Sequence, residues 1–246
     1  MMKISVGRVL TIRDTFKNYF DSTNSYTPNL DLVHPEHREE FAASQKTDVN
    51  FSCISDSVII AVPLTSNDDN CTAINGVFSA FIATCGIGLM SLSAQVAMRA
   101  GLDVGIATQI DDNEIYGPAL ERAFYLESKL AEYPRFIVGN ELINYLRWVE
   151  CQKSTKKLGQ VAKGLAKYCS GMITQDSVGR YMLDFLGDRM KESSHGVING
   201  KLVKPALDFV KSQYEKYSKE ENEKLASRYF RLLLYFYSRK GVWGLK

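Results

Sequence analysis

One acid set inside an apolar, β-branched run is the first residue of this chain whose position asks for chemistry. Residues 51–64 read Phe-Ser-Cys-Ile-Ser-Asp-Ser-Val-Ile-Ile-Ala-Val-Pro-Leu, with Asp56 near the middle. The flanking β-formers and the exit at Pro63 predict a strand, a tight turn and a second strand. A carboxylate at the tip of a buried hairpin is costly unless something positive, such as a divalent cation, meets it. Two further stretches follow, Arg99-Ala-Gly-Leu-Asp-Val-Gly105 and Tyr116-Gly-Pro-Ala-Leu-Glu-Arg-Ala-Phe-Tyr-Leu-Glu127. Glycines at 101 and 105 permit close backbone approach of a helix or a ligand. Arg99 reads as a structural residue that pairs with an acid or caps the preceding helix. Arg122, Lys129 and Arg135 are cations able to stabilise a phosphate. An exposed helix face is the simpler account of Arg122 and Lys129. His34 and His37 have no evident third metal ligand beside them, and exposed loop histidines explain them.

These residues need elements to hold them. Apolar positions at three- and four-residue spacing predict an amphipathic helix over 5–20. Residues 24–48 are polar, hold Pro28 and Pro35, and read as a long loop with one short helix over 35–44. After the hairpin around Asp56 and a turn at 66–70, an apolar helix spans 75–100. A strand over 102–110, a turn at Asp111-Asp-Asn113, a strand over 114–116 and a helix over 118–132 come next, with Pro118 in the helix's first turn. Pro134 stops that helix, 135–138 is a strand, and Asn140 caps a helix beginning at Glu141. Residues 153–167 are a Lys-rich segment that links this core to a C-terminal portion, and a solvated helix face, before a phosphate- or membrane-facing one, accounts for its five lysines. There 175–179 is a turn, 181–190 a short helix, and 203–218 and 222–237 two long helices. The fold class is α+β, and a ferredoxin-like sheet with helices on one face is its natural closure.

Composition bounds the possibilities. The chain has 246 residues, 45% of them hydrophobic, and a formal net charge of +2, which does not by itself argue for nucleic-acid or membrane attraction. Its five cysteines, Cys53, Cys71, Cys85, Cys151 and Cys169, show no paired spacing and suit a reducing, cytoplasmic setting. No apolar signal-like segment follows the first lysine. Residues 76–98 are apolar enough to test as a membrane span, but Ser79, Thr84, Ser91, Ser93 and Gln95 interrupt them, so a buried helix is the expectation.

The three stretches, in order and at these spacings, resemble the catalytic domain of class III nucleotidyl cyclases. That family combines an Ile-Gly-Asp hairpin, an Arg-x-Gly-Ile-x-x-Gly strand and a Trp-Gly-x-x-Val-Asn-x-Ala-x-Arg-Leu-Glu helix. Ile54-Ser-Asp56, Arg99 to Gly105 and Tyr116 to Glu127 stand in those places. The wording Ser-Asp-Ser-Val-Ile-Ile, Tyr-Gly-Pro-Ala and Tyr-Pro-Arg-Phe-Ile-Val is most similar to the divergent bacterial branch with the Pycsar pyrimidine cyclases of anti-phage defence. The resemblance covers roughly residues 50–145 well and the remainder loosely. It implies a ferredoxin-like cyclase fold over 1–150 with a helical C-terminal extension over 151–246. It also implies Mg²⁺ or Mn²⁺, a homodimer with shared sites, a nucleoside triphosphate substrate, and a separate effector that responds to the product. Neither nucleic acid nor membrane is an implied partner.

Carried over position by position, Asp56 matches one of the two metal aspartates. The motif for the other, Asp-x-x-Gly-Phe, is found nowhere before it; Asp14 stands at a plausible distance but inside a helical pattern without glycine. Either the first strand is missing from this chain, or the chain is a degenerate relative that binds without cyclising. The family's transition-state Asn and Arg fall on Glu121 and Tyr125, which leaves Arg122 and Arg135 as substitute cations and Tyr125 as a hydroxyl. The base-selecting positions fall on Ser52 and Glu114. Ser52 matches neither purine choice, and its small hydroxyl suits a pyrimidine edge, hence UTP or CTP and a product cUMP or cCMP.

Overall fold

The computed structural model describes residues 50–54, 57–64, 74–111, 114–153, 157–193 and 200–245, with a few positions before residue 50. The architecture is α+β, mostly helical, with a small mixed sheet. Its packing divides the chain into two units, each assembled from separated segments: 1–83, 106–117 and 143–170 in one, 84–105, 118–142 and 171–246 in the other.

In the first unit, β1 (Asn50–Ile54) and β2 (Ser57–Ala61) pair antiparallel, with Ile54 opposite Ser57. This is the hairpin the β-branched run predicts. Asp56 itself lies outside the described residues, as do His34, His37 and most of the expected helices at 5–20 and 35–44. Among the described residues this hairpin pairs only with itself, whereas the sequence places it in the main sheet. A second hairpin joins β4 (Thr108–Asp111) to β5 (Glu114–Tyr116). The strand expected over 102–110 is therefore two pieces, broken beyond Leu102. The Lys-rich segment is largely a helix, as the reading of its lysines as a solvated helix face expects: α4 (Lys157–Ser170), whose Ala166 and Cys169 are fully buried. Phe78 packs edge-on against Tyr168, with ring centroids 5.9 Å apart.

The second unit holds the sheet, in the order β3 (Ala100–Leu102), β6 (Phe136–Val138), β8 (Tyr181–Leu183), β7 (Ile173–Gln175). β3 and β6 are parallel; β6 with β8 and β8 with β7 are antiparallel. The crossover from β3 to β6 includes α2 (Pro118–Tyr125), which continues as one π-helical turn, Leu126–Leu130. α1 (Ile74–Ser93), whose residues fall partly in each unit, is long and apolar enough to cross a membrane by length and composition. Ile74, Val77, Phe81, Ile82, Cys85, Ile87, Leu89 and Leu92 are buried within the protein, as an apolar core helix requires.

The helix expected over 181–190 is a correction. Tyr181–Leu183 is strand β8, and the helix α5 (Asp188–Ser193) begins only at Asp188. With the turn at 176–179, these strands form a hairpin that completes the sheet, so residues 171–246 are more than a helical extension. The last two long helices, α6 (Gly200–Lys219) and α7 (Glu223–Ser238), occur where their periodicity predicts. Asn222 caps α7 by accepting a hydrogen bond from Leu225 N at 3.2 Å. Phe236 of α7 meets Phe185, which also meets Phe136 of β6 at 5.3 Å, so α7 and the sheet share one aromatic core.

Candidate functional site

The C-terminal end of β3 is where the second and third of the three stretches meet. Gly101 stands where a Cβ would lie 2.7 Å from Leu126 Cβ and 2.8 Å from Glu127 N, so only glycine lets α2 approach this closely. Two ion pairs flank that contact. Arg99 Nη2 lies 2.7 Å from Glu127 Oε1, and its Nη1 donates to Ala131 O at 3.3 Å. Arg122 Nε donates to Asp103 Oδ2 at 2.9 Å and its Nη2 to Val104 O at 2.7 Å. A Cβ on Gly105 would collide with that same Nη2, so glycine here makes room for the guanidinium. Asp103 is nearly sealed from solvent, and its Oδ1 accepts from Leu142 N at 3.0 Å, near the start of α3 (Asn140–Cys151).

Arg122 is thus a positioned cation rather than a loose surface one. Its side chain keeps 40% exposure, and Nη1 has no partner among the described residues. Such a guanidinium, held on two sides and open on the third, can donate to an anionic oxygen arriving from solvent. Asp103 was not singled out from the sequence. Its signal was present, since it sits between the two glycines of the Arg99–Gly105 stretch, but nothing in one dimension pairs it with Arg122.

Arg135 has the opposite fate, and its expected role facing phosphate is corrected. It is 1% exposed, with Nη1 in an ion pair with buried Asp176 and Nη2 donating to Leu130 O at 2.7 Å. Its guanidinium carbon stacks 4.3 Å from the Tyr133 ring centroid. Burial, opposed by Arg135, pushes the Tyr133 hydroxyl above the ordinary phenol value. A charge closed in this way holds the chain together and has no face for a ligand.

The remaining expected site residues are scattered. Tyr125 ends α2 and is 55% exposed. Ser52 lies on β1 opposite Ile59, and Glu114 opens β5. Asp56 lies outside the described residues. Among the described residues no three His, Cys, Asp or Glu side chains gather into a group able to hold a metal ion. Three largely buried carboxylates of the sheet unit are already engaged: Asp103 with Arg122, Asp176 with Arg135, and Asp184 with Arg239 and the Tyr235 hydroxyl. Each of these three carboxylates is therefore taken up by a cation of the protein itself. No family model, no curated protein and no solved structure gives a significant match to this chain.

Proposed function

We propose that this protein is a nucleotidyl cyclase of the class III type, making cUMP or cCMP and pyrophosphate from UTP or CTP as an anti-phage signal. In that reaction the ribose 3′-oxygen bonds to the α-phosphorus, and the α–β bridging oxygen leaves with pyrophosphate. The proposal carries with it a ferredoxin-like cyclase fold, a homodimer, Mg²⁺ or Mn²⁺ at a site that includes Asp56, and an effector that reads the product. The observation that supports it most is the interlock of two motif stretches: Gly101 against Leu126, Arg99 with Glu127, and Arg122 with Asp103. Residues that resemble the family in sequence are those that bind strand to helix. In this proposal Arg122 Nη1 is the donor that meets a phosphate oxygen.

The engaged carboxylates and the closed Arg135 favour a second reading, a catalytically silent cyclase-fold module that binds a nucleotide for regulation. Incubating the purified chain with each of the four nucleoside triphosphates and Mn²⁺ separates the two. Cyclic pyrimidine product that disappears in Asp56→Ala is the expected result. Absence of product from every triphosphate, with nucleotide binding retained, selects the silent module instead.

A further inference from the structure

Away from the Arg122 cluster, the start of α7 and the loop after the π-helical turn form an open surface concavity of about 260 Å³, lined by Glu132, Lys224, Ser227, Arg228 and Arg231. Lys224, Arg228 and Arg231 are spaced by four and three residues, so they share one face of α7, where like charges repel. Among the described residues that line the concavity, only one carboxylate answers them. Glu132 Oε2 takes Arg231 Nη1 at 2.8 Å, and Oε1 lies 3.6 Å from Nη1 of Arg180, which also donates to Leu130 O. Lys224 and Arg228 have no ion-pair or hydrogen-bond partner among the described residues. The lining alone carries two positive charges in excess, as many as the whole chain. Such a concentration in one concavity costs folding stability unless an anion offsets it.

From this geometry we infer a site for a compact polyanion, the phosphate chain of pyrophosphate or of a nucleoside polyphosphate. The lining selects the ligand: no aromatic or apolar side chain is there to stack a base, while two guanidinium groups and an ammonium are suited to phosphate oxygens. The Ser227 hydroxyl adds a neutral donor. Glu132 holds Arg231 in place and leaves Lys224 and Arg228 to take the ligand.

This inference does not depend on cyclase activity, and its test is run where metal-dependent chemistry is silent. The full chain is titrated calorimetrically with pyrophosphate, and separately with UTP, in buffer containing a metal chelator. Saturable binding is expected, weakened about tenfold or more by Arg228→Gln and further by Lys224→Gln with Arg228→Gln. Arg228→Lys should restore part of it. Equal affinity for pyrophosphate and UTP assigns the site to the phosphate chain alone, and tighter UTP binding to a nucleotide tail. No binding of either, or binding that the Lys224 and Arg228 changes leave intact, overturns the proposal. So does binding of an oligonucleotide in the absence of any pyrophosphate binding.

Discussion

Asp176 faces a buried guanidinium, and the pair shows what a single side chain contributes here. Its carboxylate meets Arg135, and Oδ1 also accepts from Val178 N and Arg180 N, bracing the turn between β7 and β8. Asp176→Ala would leave Arg135 charged, buried and without its counterion, at a cost of about 3–5 kcal/mol. A urea unfolding curve should show that loss, while Asp176→Leu with Arg135→Met should recover most of it. Recovery no better than the single change would mean that the pair is not isolated as described. Gly101 is the matching case of a residue that matters by what it lacks. Gly101→Ala puts a methyl group against Leu126 and Glu127 N, and a loss of about 1–3 kcal/mol is expected from overpacking. An unchanged thermal midpoint would show that the strand and α2 are not in contact.

At the scale of elements, the C-terminal segments build the sheet as much as the central ones do. β8 pairs with β6, β7 with β8, and α7 supplies Phe236 and Tyr235 to the core around Phe185. Tyr235 donates to Asp184 at 2.7 Å and accepts from Leu186 N at 2.9 Å, while Arg239 Nε donates to the same carboxylate. A chain cut after residue 150 loses all of these partners for β6. Such a fragment should give no cooperative thermal transition where the full chain gives one. A sharp transition in the fragment would show that the central segments fold without β7 and β8. Periodicity made the long helices legible, because an apolar repeat of three to four residues sustained over several turns matches a helix and no strand. It failed at Tyr181–Leu183, where three residues are too few to show any period and adjoining apolar residues imitate a helix.

At the scale of the whole molecule, ionisable groups shut away from water predict a response to alkali. Burial raises the Cys85 and Cys169 thiols well above their ordinary range, pushes the Tyr229 hydroxyl up to about 12, and holds that of Tyr235 well above the ordinary phenol value. These groups therefore release their protons in the unfolded chain before they do in the folded one. Their contribution to stability is complete below the unfolded values, about 8.5 for thiol and 10 for phenol, and is lost as pH rises through the folded ones. Urea midpoints should hold level to about pH 8 and fall beyond it, more steeply above about pH 10. Cys85→Ala with Cys169→Ala should remove the earlier part of the decline. A midpoint unchanged up to about pH 11 would contradict the burial of these groups.

From the sequence alone came the α+β class, the hairpin on either side of residue 56, the long helices, and the three stretches that resemble a cyclase. All of these rest on local preference or short-range spacing, which one dimension records. Tertiary structure alone decided that Asp103 takes Arg122, that Arg135 closes on Asp176 instead of facing a ligand, and that strands beyond residue 170 complete the sheet. The reason is physical: whether a charge is sealed or open depends on which distant segment supplies its partner. In this chain those partners lie 19 and 41 residues away.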